Sequence, residues 1–298
     1  MKKTLFSLKR LMLILFFLIA SSLLNQRLSA IAPPEMELNT GQVKQGGLLI
    51  VQINLEDLPF IAEQLTISFN DRHYPLRRNE SGQYQTMIGI SYWLKPGNQH
   101  LSLIQGEKII NTAQFEIIAG NFKNSYLYVE ASLEKIIRPR DPQTEKRKKH
   151  ESALIKKARG KSVPEKLWAD NFSWPLAGKI TTGFGATRYV NDQLQSRHSG
   201  IDIAAPTGTE ITASNHGVVV LAADLLVTGK TIIIDHGYEV FSSYSHLNSL
   251  NVAVGDKIQK GQIIGRCGST GFSTGPHLHW TITVGGVYVN PTDLISSF

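Results

Sequence analysis

The chain has 298 residues, 42% of them hydrophobic and 18% charged, with a formal net charge of +7. That length allows about two domains, and the 25 glycines favour turns and strands over long helices. A single cysteine, Cys267, excludes any intramolecular disulfide, so each domain has to be held by its own apolar core.

Residues 1–30 open with Lys2, Lys3, Lys9 and Arg10, run apolar from Leu11 to Leu24 and end in Leu28-Ser29-Ala30. A basic head, a hydrophobic middle and a small-residue exit are the marks of a secretory signal peptide. The apolar run is shorter than the roughly 20 residues of a membrane span. Arg27, close to the expected cut, leaves an uncleaved N-terminal anchor as the alternative. Either way the remainder is expected to be exported, periplasmic or associated with the cell envelope.

Residues 31–122 read as short strands separated by turn signals. "LLIVQINL" (48–55) is a strand, and "LTISF" (65–69) places Leu65, Ile67 and Phe69 on one face. "NDRHYP", "NESGQY" and the Pro-Gly of "WLKPGNQHLSLIQG" supply turns. About seven such strands predict a small β-sandwich, immunoglobulin-like in outline. His73 and His100 are isolated and read as surface or turn residues.

The positive charge is concentrated. Residues 135–166 hold twelve Lys/Arg against four Asp/Glu, a surplus of eight that leaves the rest of the chain near neutral. They lie within residues 123–171, read as a basic, partly helical linker in which "RPRDP" breaks the chain and "TEKRKKHESALIKKAR" forms a helix. In an exported protein such a run suits an anionic envelope polymer or a membrane surface, and no nucleic acid is expected. The plainer reading is a solvated linker helix. Its position just ahead of the next domain also suits a segment that folds over a cleft as an inhibitor.

Residues 172–298 turn β-rich again. "GVVVLAAD", "TIIIDHG", "VFSSYSHL" and "QIIGRCG" read as strands, and "TITVGGVYVNP" as a hairpin turning at Gly285-Gly286. The expected fold class is therefore all-β dominated, ending in a glycine-rich antiparallel sheet domain. Cys267, in "IIGRCGSTG", reads as a packed thiol.

Six of the nine histidines fall in this last domain: His198, His216, His236, His246, His277 and His279. In "GPHLHW", His277 and His279 share one face of an extended strand, and Leu278 between them points the other way, into packing. "HSGID" brings His198 and Asp202 to one face by the same even spacing, since Gly200 and the β-branched Ile201 and Ile203 oppose a helix. A third ligand from another strand, His279 or His277, completes two nitrogens and one carboxylate oxygen. That set suits a catalytic zinc with an open fourth position. The other histidine of the pair would sit beside the open position, and His246 in "SYSHLN" supplies a second such group from another strand. No "HExxH" helix is present, so histidine has to replace the glutamate base of that motif. His236 and His216 read as structural and turn residues.

"RHSGIDIAAPTGTEITASNHGVVV", "TIIIDHG", "YSHLNSLNVAVGDKIQKGQIIGRCGSTGFSTGPHLHW" and "VNPTDLI", in that order, resemble the lysostaphin/LytM-type zinc metallopeptidases, and "WPLAGKITTGFG" resembles the start of their domain. The resemblance covers about residues 172–298. It implies that His198, Asp202 and His279 bind Zn²⁺ and that His246 and His277 form the catalytic pair. It further implies an endopeptidase acting on the peptide stems or cross-links of bacterial peptidoglycan. One rival reading is a non-catalytic activator of other cell-wall hydrolases, against which the intact residue set argues; a second is a peptidoglycan-binding protein in which the β-sandwich and basic linker dominate. One departure stands out: "GFGATRYVNDQLQSRHSG" is longer than the family's usual "FGxR" start. Residues 186–197 are expected to form a loop near the metal, with Tyr189 or Asn191 stabilising an oxyanion or covering the open position.

Overall fold

The computed structural model describes residues 33–55, 60–79, 81–168 and 170–296, so the leader expected over residues 1–30 lies outside the described residues. Strands make up 46% and helices 12% of the described residues, as the all-β reading requires. Among the described residues no helix is long and apolar enough to cross a membrane.

The first strands are β1 (Met36–Leu38), β2 (Gln42–Lys44), β3 (Leu48–Ile53), β4 (Leu65–Phe69), β5 (Arg72–Pro75), β6 (Arg77–Arg78), β7 (Tyr84–Gly89), β8 (Gly97–Gln105) and β9 (Lys108–Ile118). They form two sheets, ordered β1-β3-β7-β6 and β2-β9-β8-β4-β5. Leu65, Ile67 and Phe69 of β4 all point into the core between the sheets, as their alternation predicts. Among the described residues nine strands stand where about seven are expected, because β1, β2 and β6 are only two or three residues long and carry little pattern. Asn70 and Asp71 turn β4 into β5 with φ of 49° and 58°, the left-handed pair that a tight hairpin needs.

β3 explains why "LLIVQI" does not alternate. Leu49, Val51 and Ile53 enter the sandwich core, while Leu48 and Ile50, with Met87 of β7, enter the core of the C-terminal sheet. A strand buried on both faces reads as a continuous apolar run. The sandwich is thus packed onto the C-terminal sheet through its own strands, not tethered beside it.

Three elements follow: β10 (Asn124–Leu127), α1 (Ala131–Ile137) and α2 (Pro142–Ala158). The helix expected in the basic run is α2. The Asp141 side chain accepts from the Thr144 amide at 2.8 Å and Pro142 occupies the first turn, both favoured at a helix start. β10 was not legible as a strand. It pairs in parallel with β12 (Thr187–Val190), which pairs antiparallel with β13 (Gln193–Arg197).

The remaining elements are β11 (Lys179–Thr182), β14 (Ile201–Ala204), β15 (Glu210–Thr212), β16 (Gly217–Leu225), β17 (Gly229–Asp235), β18 (Val240–Leu250), β19 (Lys257–Ile258), β20 (Ile263–Cys267), β21 (His277–Val284), β22 (Val287–Val289) and α3 (Pro291–Ser296). Their main sheet runs β11-β14-β21-β18-β17-β16-β19, with β15, β20 and β22 attached, and every pairing in it is antiparallel. Gly285 and Gly286, φ 56° and 74°, make the hairpin turn read from the sequence.

The two faces of this sheet differ in chemistry. Leu278, Trp280, Ile282 and Val284 of β21 join Tyr244, Ile232 and Ile234 in the apolar core. His277, His279, Thr281 and Thr283 occupy the other face, opposite Ser245 and Ser243 of β18. The alternation of "HLHWTITV" is the local cause, and it aims the histidines at one place.

Candidate functional site

Five side chains converge at one end of the polar face. β14 and β21 are paired so that Asp202 lies directly opposite His279 and Ala204 opposite His277. His198 precedes β14, and Gly200 carries the chain over the sheet between His198 and Ile201. A Cβ at Gly200 would lie 2.2 Å from the Trp280 carbonyl oxygen and 2.6 Å from Thr281 Cγ2, so only glycine passes this closely. His198 and Asp202 therefore meet without a helix, with Nε2 2.9 Å from Oδ1.

His279 Nδ1 lies 2.8 Å from the same Asp202 oxygen and 2.9 Å from His198 Nε2. The three ligand atoms sit within 4.8 Å of one another. His198 Nδ1 is 2.9 Å from the Gly183 carbonyl oxygen, which only accepts, so Nδ1 carries the hydrogen. In the neutral ring Nε2 is then a bare lone pair aimed at a carboxylate oxygen. A cation between lone pairs of this kind holds them together, and the cluster has the residue types and spacing that can hold a metal ion.

His246 and His277 flank the cluster, with ring centroids 4.8 Å apart. His246 Nδ1 donates to the Thr270 carbonyl at 2.8 Å and His277 Nδ1 to the Gly275 carbonyl at 2.8 Å. Each ring thereby leaves Nε2 unprotonated when neutral, and His277 Nε2 is 3.8 Å from Asp202 Oδ1. His246 adopts φ of +64°, a conformation rare for a residue with a Cβ, at an irregularity in the pairing of β18. Backbone strain of about 1–3 kcal/mol at a buried histidine is a common mark of a working site.

Burial dominates the acid–base behaviour. It pushes His246 down to about 3, helped by the neighbouring His279 and His277 rings, and His279 down to about 4, against the pull of Asp202. For Asp202 burial acts in the raising direction. Its hydrogen-bonding and charge interactions with His198 and His279 outweigh burial and hold the carboxyl well below its usual range. An ionised carboxylate with neutral imidazoles is the protonation state in which all three can donate electron pairs.

The sequence reading missed Arg188. Its Nη2 lies 3.0 Å from Asp202 Oδ2, and it lines the same cleft of about 270 Å³ as His246 and His277. Its position two residues before the buried Val190 on β12 was the available signal. Residues 186–197 correct the expected loop: they form the β12–β13 hairpin, turning at Asn191 and Asp192 with φ of 49° and 60°. Asn and Asp, here Asn191 and Asp192, are the residue types that tolerate these angles, and the turn chemistry was readable as such. Tyr189 stacks on Tyr126 at 5.0 Å, and Asn191 bonds to Val129 and Glu134. Both are held by the connecting segment, away from the cluster.

The other histidines match their structural reading. His236 is fully buried, with Nδ1 2.6 Å from the His216 carbonyl and Nε2 2.7 Å from Ser242 Oγ, while the His216 side chain is exposed. His73 and His100 are exposed, and Cys267 is buried.

Residues 196–291 match the family model described as peptidase family M23. The peptidoglycan DD-endopeptidase ShyA of Vibrio cholerae is 42% identical over 93 residues, which is 31% of this chain and 22% of that protein. The DD-carboxypeptidase/endopeptidase Mpg of Neisseria meningitidis is 37% identical over 116 residues, 39% of this chain and 27% of that protein. This chain thus spans less than a third of either relative's length. A solved Pseudomonas aeruginosa chain assigned to peptidase M23 superposes with a TM-score of 0.65 at 26% identity, over 88% of this chain and 97% of its own.

Proposed function

We propose that this chain, whose C-terminal domain belongs to peptidase family M23, is a zinc-dependent endopeptidase that hydrolyses peptide stems or cross-links of bacterial peptidoglycan. The observation that carries the reading is the convergence of His198, Asp202 and His279 with His246 and His277 beside them. The relative ShyA, named as a peptidoglycan DD-endopeptidase, supports the substrate class.

His198 Nε2, Asp202 Oδ1 and His279 Nδ1 are the atoms that would hold the ion, and two nitrogens with one hard oxygen favour zinc. Bound zinc supplies Lewis acidity, acidifying water toward a pKa of about 7 and polarising a peptide carbonyl. The Gly183 carbonyl fixes the His198 ring so that Nε2 faces the cluster. His246 and His277, held by the Thr270 and Gly275 carbonyls, each present Nε2 to the cleft. One of them takes the proton of the attacking water at Nε2. The resulting N–H stabilises the tetrahedral oxyanion or passes its proton to the leaving amine. Burial lowers His246 to about 3, so its ring is neutral at pH 7 with Nε2 unprotonated.

Peptidoglycan lies outside the cytoplasmic membrane, and the leader-like residues 1–30 support export to the periplasm or envelope. The exposed lysines of α2, such as Lys146, Lys149, Lys156 and Lys157, suit an anionic envelope polymer or membrane surface as a further partner.

The test is digestion of purified peptidoglycan by the full chain, with zinc and after chelation, with products identified by mass spectrometry. Stem-peptide fragments with a new amine and a new carboxyl are expected from the zinc-loaded protein alone. Intact muropeptides from a stoichiometrically zinc-loaded chain would contradict the reading.

A further inference from the structure

Arg188 divides the two oxygens of Asp202 between separate tasks. Oδ1 is engaged by His198 Nε2 at 2.9 Å and His279 Nδ1 at 2.8 Å. Oδ2 is engaged by Arg188 Nη2 at 3.0 Å. The Arg188 side chain is 18% exposed and that of Asp202 8%, so the pair is largely shielded from water and its charge-assisted bond is strong. Breaking it would leave a mostly buried guanidinium unpaired.

The backbone that delivers Arg188 is held on both sides. Ser196 of β13 pairs with it on one edge, and Ser125 of β10 on the other. The register shifts between Arg188 and Tyr189, an irregularity of the kind that re-aims a side chain beside a site. Val190, on the same face, is buried with Ile137 and Phe272 and anchors the strand. Arg188 thus reaches Asp202 from a braced position.

A carboxylate can give a metal ion one oxygen or both. A catalytic site with three protein ligand atoms keeps a fourth position for water or substrate, and a second oxygen from Asp202 would compete for it. We infer that Arg188 is a positioning residue that holds Asp202 Oδ2 away from the His198–Asp202–His279 cluster, so that Asp202 offers the metal a single oxygen and the fourth position stays open. The inference rests on the metal-site reading given above.

The experiment uses the purified full chain with Co²⁺ as the probe metal, since the visible absorption of Co²⁺ weakens when a four-coordinate site gains a ligand. Arg188→Ala is expected to bind one Co²⁺ per chain with weaker visible absorption than the native protein. Its turnover of peptidoglycan with zinc should fall about 10- to 100-fold, while its zinc affinity, read by chelator competition, is unchanged or tighter. Arg188→Lys, which keeps a charge and a donor, should return the native spectrum. Arg188→Met, with an apolar stem of similar length, should reproduce the weakened one if the alanine variant does not fold. A native Co²⁺ spectrum in folded Arg188→Ala or Arg188→Met overturns the inference, as does loss of Co²⁺ binding by either folded variant. Failure of the native chain to bind Co²⁺ or zinc would instead remove the metal-site reading, and this inference with it.

Discussion

Asp202 and His279 face each other directly across β14 and β21, and their side chains meet with Nδ1 2.8 Å from Oδ1. Direct cross-strand neighbours share a face, so the candidate ligand pair is set by sheet register. A slip of one residue would turn one partner into the apolar core.

That pairing separates two mutant phenotypes. His198→Ala, Asp202→Ala and His279→Ala should each lose stoichiometric zinc. His246→Ala and His277→Ala should keep zinc and lose turnover by about 10²- to 10⁴-fold, the range for removing a general acid or base. Metal analysis of the dialysed variants, beside peptidoglycan digestion, checks both halves. Full zinc occupancy in His279→Ala would sink the ligand assignment.

Gly200 is a packing requirement. With Gly200→Ala the new methyl meets the Trp280 carbonyl at 2.2 Å, backbone that cannot swing aside as a side chain would. A loss of about 3 kcal/mol in urea unfolding is expected, in the upper range for overpacking, together with weaker zinc binding because β14 has to move. A variant as stable as the native chain would show that the crossing has slack.

His236 gives the metal-free protein a pH-dependent stability. Burial holds its folded pKa at about 4, against roughly 6.5 for the unfolded chain. Below the unfolded value the unfolded chain takes up a proton that the folded chain refuses. Stability is therefore fully present above about pH 6.5 and falls as the pH drops toward 4, by about 3 kcal/mol in total from this group. His246 and His279, lowered in the same direction, steepen the fall. Urea denaturation of the chelated protein between pH 7 and pH 4.5 reads the slope. His236→Gln should make it shallower by about one proton, and an unchanged slope would count against the assignment.

Asn191 ties the hairpin to the connecting segment. It accepts from the Val129 amide at 3.0 Å and donates to the Val129 carbonyl at 3.2 Å and to Glu134 at 3.1 Å, all from a left-handed φ of 49°. Asn191→Ala removes the bonds and strains the turn, at a cost of about 2 kcal/mol. Hydrogen exchange should quicken at the amides of β10 and β12 first. Protection unchanged there would mean that the hairpin stands without the clamp.

Much of the site was readable because strand geometry is local. The two-residue repeat of "HLHWTITV" alone puts His277 and His279 on one face and Leu278 and Trp280 on the other, wherever the strand sits. Gly285-Gly286 likewise announced its own turn, whereas His198 and Asp202 meet because the chain crosses the sheet at Gly200 ahead of β14, which even spacing alone does not specify. The resemblance of the motifs then implied which histidines are ligands and which form the catalytic pair, a division that spacing leaves open.

Other features depended on contacts between residues far apart in the chain. Nothing local tells β3 that it will be packed on both faces, or β10 that it will pair with β12 some sixty residues later. The Gly183 and Thr270 carbonyls that set the His198 and His246 tautomers are backbone atoms, with no residue type to mark them. Arg188 was passed over for Tyr189 and Asn191 because its segment was read as a loop, and only the hairpin's pairing shows which of the three turns inward. The sequence by itself determined which side chains share a strand face. The tertiary structure alone decided which faces meet, because strand pairing is chosen by packing across the whole sheet.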